Sequence, residues 1–188
     1  TANGVVDAFV HVCEQYVTDC RHADVQDRYA ESLLKVLIEN GSKVRETPND
    51  YDVRANIMWA CNQALNYWIS QGVRSDWATH KVGHELTAFL GMDHAQTLAC
   101  IQRRVFEYKF ESKKAKLAQM AERVFEIKEG SVEEKARACI QRIDDFYSKV
   151  MGVPTHISEY PQYSQDKAWI EEVHKKFSEG NVHLGEDG

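Results

Sequence analysis

Apolar residues recur every three to four positions along nearly the whole chain, and almost nowhere do they alternate every second one. Val5, Val6, Phe9, Val10, Cys13, Tyr16 and Val17 form one such stripe, which predicts a helix over 3–19. A second helix is predicted from Asp24 to Asn40, with Gly41 as its C-terminal stop. A third opens at Asp50, carries Ile57, Cys61, Ala64, Leu65 and Trp68, and runs to 71, just before Gly72. Asp76 suits the N-cap of a fourth helix over 77–90, closed by Gly91. Asp93 caps a fifth that runs from His94 towards Phe110, and a sixth carries Leu117, Met120, Ala121, Val124 and Phe125. Ser131 and Glu134 have capping-box spacing at the start of a seventh, which ends near Gly152 and Pro154. The eighth carries Ile170, Val173 and Phe177 and stops at Gly180. Pro48, Pro154 and Pro161 all fall between these segments. The pattern predicts an all-α fold, one compact bundle of about eight helices forming a single domain over 1–188.

Composition narrows the function classes. At 188 residues, folding buries roughly 70% of the unfolded chain's surface, so a core forms without staples. A net charge of −6, from 23 basic and 29 acidic residues, argues against a nucleic-acid partner, which wants clustered positive charge. No apolar run approaches the roughly 20 residues of a bilayer crossing, so no membrane partner is expected. Cys13, Cys20, Cys61, Cys100 and Cys139 are widely spaced with no CxxC. They read as small core residues in a reducing cytoplasm, not as a disulfide framework or zinc ribbon. The scattered glycines form no GxGxxG or GxxxxGK[ST] loop, so this sequence does not itself cradle a dinucleotide. The basic run Lys113, Lys114, Lys116 reads as a solvated helix face. The chain opens inside an apolar-periodic segment with no initiator Met, the look of a fragment or a processed chain.

Histidine carries the candidate chemistry. In DWATHKVGHELTAFLGMDH, His80 and His84 are i and i+4 and share one helix face. A helix turning back after Leu90 aims His94 at that face, and three imidazoles from two helices suit a divalent transition metal. In the first helix Asp7 and His11 are again i and i+4, and Glu14 continues the same face one turn on. Asp7 lies in a very apolar stretch, GVVDAFV, where a carboxylate is costly unless a cation or donors meet it. Together these residues offer one carboxylate and three or four imidazoles, a donor set suited to Fe²⁺ or Zn²⁺. Spacing alone leaves open whether His80 or His84 is the ligand. A metalloprotease pattern, HExxHxxGxxH, also fits His84, Glu85, Gly91 and His94, but Ala88 stands where it needs its second His.

The stretches NGVVDAFVHVCEQYVT, YDVRANIMWACNQALNYWI, DWATHKVGHELTAFLGMDHAQTLA and AERVFEIKEG resemble the C-terminal helical domain of iron-containing (group III) alcohol dehydrogenases. The resemblance is to the branch of butanol dehydrogenases and NADPH-dependent aldehyde reductases, and it runs over nearly the whole chain. It implies metal ligands at Asp7, His11, His80 and His94, with His84 lining the cleft near the nicotinamide in a catalytic role. It further implies NADP(H) or NAD(H) held mainly by another domain, a small aldehyde or alcohol as substrate, and a homodimer for the intact enzyme. The sequence departs from the family pattern in three places. It has no α/β domain with a Gly-Gly-Ser pyrophosphate loop, and it stops at LGEDG where this branch continues with one more helix. Ile101-Gln102-Arg103-Arg104 replaces the family's Leu-Pro pair. The competing reading is a non-catalytic helical module whose histidines serve packing.

Overall fold

The structure, a computed structural model, describes residues 1–18, 22–163 and 167–186; Cys20 and the final Asp187 and Gly188 lie outside them. Eight α-helices make up the fold, and no strand occurs among the described residues. They are α1 (Ala2–Tyr16), α2 (Asp24–Glu46), α3 (Tyr51–Ala64), α4 (Ala78–Leu90), α5 (His94–Tyr108), α6 (Phe110–Arg123), α7 (Val132–Asp145) and α8 (Ala168–Glu179). No helix is long and apolar enough to cross a membrane.

Helix α1 is the centre of the bundle. Its predicted apolar stripe is buried, and so are Ala8, Val12, Glu14 and Gln15 on its other sides. A helix covered almost all round is a core helix, and α1 packs against α2, α3, α4 and α5 at once. Its polar residues are therefore drawn in among other helices, Glu14 fully and Asp7 and His11 in part, which makes them costly unless they are partnered.

Two boundaries differ from the periodicity reading. Helix α2 runs straight through Gly41 to Glu46. A Cβ at Gly41 would stand 3.0 Å from Met151 Sδ and 3.1 Å from Val5 Cγ1. The glycine therefore makes room for close packing instead of stopping the helix. Helix α3 ends at Ala64, not at 71. Gln15 Nε2 donates to the Ala64 carbonyl at 2.8 Å, and Asn66 Oδ1 accepts from Trp68 N at 3.1 Å. A short-range turn built on Asn66 thus replaces the last two helical turns.

Other ends follow the sequence closely. Asp50 caps α3 through Val53 N, and Ser131 and Glu134 form the expected capping box on α7. Gly91 closes α4 in the left-handed conformation at φ 67°. Asp76 acts one residue earlier than expected: its Oδ1 accepts from Ala78 N at 2.9 Å, while Trp77 takes the N-cap position at φ 61°. After Asp145 the chain of α7 widens into a π-helical turn, Phe146–Val150.

Lys113 contradicts the reading of the basic run as a solvated face. It is buried, and its Nζ meets Asp76 Oδ2 at 2.8 Å, the Val17 carbonyl at 2.9 Å and Glu186 Oε1 at 3.2 Å. Lys116 and Lys114 are half-buried and pair with Asp27 and Glu111. The thiols of Cys13, Cys100 and Cys139 are buried as expected, and that of Cys61 is half-buried.

The α4–α5 hairpin depends on Gly83. A Cβ there would lie 2.9 Å from Leu98 Cδ2 and 3.0 Å from Thr97 Oγ1, both on fully buried residues. Overpacking of this kind costs about 1–3 kcal/mol, against about 0.8–1.0 kcal/mol regained in helix propensity. Gly83→Ala is therefore expected to lower the urea midpoint and, by separating α4 from α5, to weaken any ligand shared between His80 and His94. A raised midpoint would show that the hairpin has slack.

Candidate metal centre

Three helices aim side chains at one point. Helix α1 contributes Asp7 and His11 one turn apart, α4 contributes His80, and the first residue of α5 is His94. The two-residue link between Gly91 and His94 turns α5 back along α4, as the sequence suggested. Asp7 Oδ1 is the hub: it lies 3.5 Å from His11 Nε2, 3.6 Å from His80 Nε2 and 3.6 Å from His94 Nε2. His11 Nε2 and His80 Nε2 are 3.1 Å apart. Ligating atoms of Asp7, His80 and His94 all lie within 4.8 Å of one another, and His11 joins them on the Asp7–His80 side.

These spacings fit a metal. Bonds of about 2.0–2.2 Å in a tetrahedron place neighbouring ligand atoms about 3.3–3.6 Å apart. The three distances to Asp7 Oδ1 are too long for good hydrogen bonds, and Asp7 Oδ1 is a buried oxygen with no hydrogen-bond partner. A carboxylate oxygen that three ring nitrogens surround without bonding has the geometry of a ligand waiting for a common cation.

The charges agree. Burial raises the Asp7 carboxyl, but His80, His11 and His94 outweigh it and hold the group below its ordinary value. Burial, helped by His80, lowers His11 to about 4, and burial also lowers His94 against the pull of Asp7. Both imidazoles are thus neutral near pH 7, with a lone pair free to bind. His80 behaves differently: burial disfavours its cation, yet Asp7 and Glu14 together raise it to about 9.

Behind His80 stands Glu14, a residue whose importance the sequence reading missed. Its Oε2 takes the Nδ1 side of His80, and its Oε1 accepts from Thr79 N at 2.6 Å. The signal was present in the i, i+4, i+7 spacing of Asp7, His11 and Glu14. Trp77 forms a wall, its ring 5.6 Å edge-on from both His11 and His80.

His84 does not join the Asp7 hub. Its exposed ring stacks on His94 at 4.9 Å and lies 6.1 Å from His80, at the open side of the cluster. The protease arrangement is not formed either, because buried Glu85 is committed to Lys176 at 2.6 and 2.8 Å. A groove of about 630 Å³ lined by Ala78, Val82, Ile101, Val105 and Leu184 lies on the far side of α4. Its α4 residues, Ala78 and Val82, are two positions from His80 or His84, about 200° round the helix, so it takes no part in this site.

An all-helical domain that gathers ligand atoms of Asp7, His80 and His94 within 4.8 Å of one another, with His11 beside Asp7 and His80, is of the class able to hold a divalent transition metal. The chain belongs to the Fe-containing alcohol dehydrogenase family, whose C-terminal part matches residues 1–174. It is 52% identical over 187 residues to the NADPH-dependent aldehyde reductase YqhD of Escherichia coli, covering 99% of this chain and 47% of that protein. It is 33% identical over 161 residues to NADH-dependent butanol dehydrogenase B of Clostridium acetobutylicum, covering 85% of this chain and 41% of the relative. The substrate- and cofactor-free structure of the E. coli aldehyde reductase superposes with a TM-score of 0.91 at 51% identity, over 98% of this chain and 48% of that one. The NADH-dependent butanol dehydrogenase A structure from Thermotoga maritima gives a TM-score of 0.89 at 26% identity, over 98% and 47%. The chain therefore spans about half the length of the relatives it matches.

Proposed function

We propose that this chain is the metal-holding helical domain of an NAD(P)-dependent alcohol dehydrogenase or aldehyde reductase. Asp7, His11, His80 and His94 are its metal ligands in this reading, and iron is the favoured metal because the family is described as Fe-containing. The observation that carries the reading is the buried, unbonded Asp7 Oδ1 at 3.5–3.6 Å from three imidazole nitrogens. When bound, such a metal supplies Lewis acidity to a carbonyl or alkoxide oxygen. The chain's residues do the rest. Asp7 supplies negative charge, and His11 and His94 stay neutral and so present lone pairs. Trp77 shields the His11–His80 side from water, leaving the open side near His84 and His94 for a small aldehyde or alcohol. His84, exposed at that side, is placed to pass a proton between water and the substrate oxygen. The nicotinamide, NADP(H) or NAD(H), is held mainly by another domain in this reading, with the sequence here showing no Gly-rich phosphate loop.

Anaerobic equilibration with Fe²⁺ followed by metal analysis tests this. About one equivalent is expected, together with no nicotinamide-dependent reduction of an aldehyde by the 188-residue chain alone. A chain that retains no Fe²⁺ after desalting would overturn the reading, and one that prefers Zn²⁺ would overturn the choice of iron.

A further inference from the structure

We propose that Glu14 is a positioning residue that fixes His80 in the one tautomer able to present Nε2 to the metal. The inference rests on the metal-centre reading and adds to it the cause of His80's orientation. Helix α1 carries Asp7, His11 and Glu14 along one face, so one helix supplies two ligands and the group behind a third. The Glu14 carboxylate is 2% exposed and receives two donors from the first turn of α4. Oε1 takes the backbone N–H of Thr79, and Oε2 takes Nδ1–H of His80. The carbonyl of Glu14 also accepts from Asp76 N at 2.8 Å, so the start of α4 is docked on this one residue.

A neutral imidazole has one N–H, and the nitrogen that carries it cannot bind a metal. With the Nδ1 proton directed at Glu14, Nε2 is the nitrogen left to give up its proton to a metal, and it is the atom facing Asp7 at 3.6 Å and His11 at 3.1 Å. His11 has no such support, since its Nδ1 is buried without a hydrogen-bond partner. His84, one turn beyond His80, stacks on His94 instead. Glu14 therefore supplies a physical reason why His80, and not its helical neighbour, faces the hub. A carboxylate behind a ligating imidazole both orients the ring and raises its basicity.

Glu14→Gln tests this, because an amide can accept from Thr79 N–H or from His80 Nδ1–H but not both, and turns an NH₂ towards the other. Fe²⁺ affinity, read anaerobically by competition with a chromogenic chelator, is expected to fall by about 10–100-fold. Affinity within twofold of the parent would overturn the inference. A second measurement separates positioning from structural support and does not need the variant to fold. In the parent protein loaded with Zn²⁺ as a diamagnetic stand-in, ¹⁵N NMR should show His80 bound through Nε2 with Nδ1 protonated and protected from exchange. Coordination through Nδ1, or a freely exchanging Nδ1 proton, would refute it. His94→Ala is the control. If that variant also keeps its Fe²⁺, the metal-centre reading has failed; if it loses Fe²⁺ while Glu14→Gln does not, only the role of Glu14 has failed.

Discussion

Replacing His94 by alanine is expected to abolish stoichiometric Fe²⁺ binding while leaving the helical fold intact. His94 is the first residue of α5 and its side chain is 35% exposed, so truncation opens no cavity in the core. Circular dichroism and the urea midpoint of the metal-free protein should therefore stay close to those of the parent. The loss at the site is of another order. Asp7 Oδ1 would keep His11 and His80 but lose the nitrogen that closes the cluster from the α5 side. Removing an outer partner of a ligand costs about 10–100-fold in metal affinity, and removing a ligand itself is expected to cost more. His84→Ala should leave Fe²⁺ affinity nearly unchanged, because that ring meets the cluster by ring contacts to His94 and His80 and lies outside the Asp7 hub. If His84→Ala strips the metal while His80→Ala spares it, the roles of these two histidines are reversed.

The fold was legible because period-3.6 patterning and cap chemistry are local signals. Ser131 with Glu134, Asp50, and Gly91 each did what their spacing suggested. Gly41 did not, because a glycine that stops a helix and one that admits Met151 look alike until the partner is known. The site was half legible. The i, i+4 pairs and the return of α5 were visible, but spacing left His80 and His84 equivalent, and burial of the Glu14 side of α1 separated them. Lys113 was misread for the same reason. It falls at i+3 from Phe110 and four residues before Leu117, within the stripe that α6 buries, yet its charge suggested solvent. Charge type spoke for the surface and periodicity for the core, and the position in the stripe decided.

That buried lysine leads to the largest expected loss of stability. Lys113 Nζ sits between Asp76 and Glu186, and all three side chains are 4% exposed or less. Lys113→Ala removes the cation that meets both Asp76 and Glu186 and leaves the buried Asp76 carboxylate without its ion pair. Breaking a buried pair from one side costs about 3–5 kcal/mol. For a chain of this size that is a fall in Tm of roughly 6–20 °C, at about 2–4 °C per kcal/mol. Lys113→Met, which keeps the apolar stem, should lose nearly as much, because charge and not volume is what the cluster requires. Pairing the change with Asp76→Asn should recover part of the loss, since the Asp76 side chain is then neutral. The damage should also reach the metal centre. Asp76 Oδ1 holds Ala78 N, and its neighbour Trp77 packs edge-on against His11 and His80. Chemical denaturation of the metal-free protein with a double-mutant cycle measures the first effect, and Fe²⁺ competition on the folded variant measures the second. A loss below about 1 kcal/mol, the scale of an exposed pair, would mean that Lys113 is solvated after all.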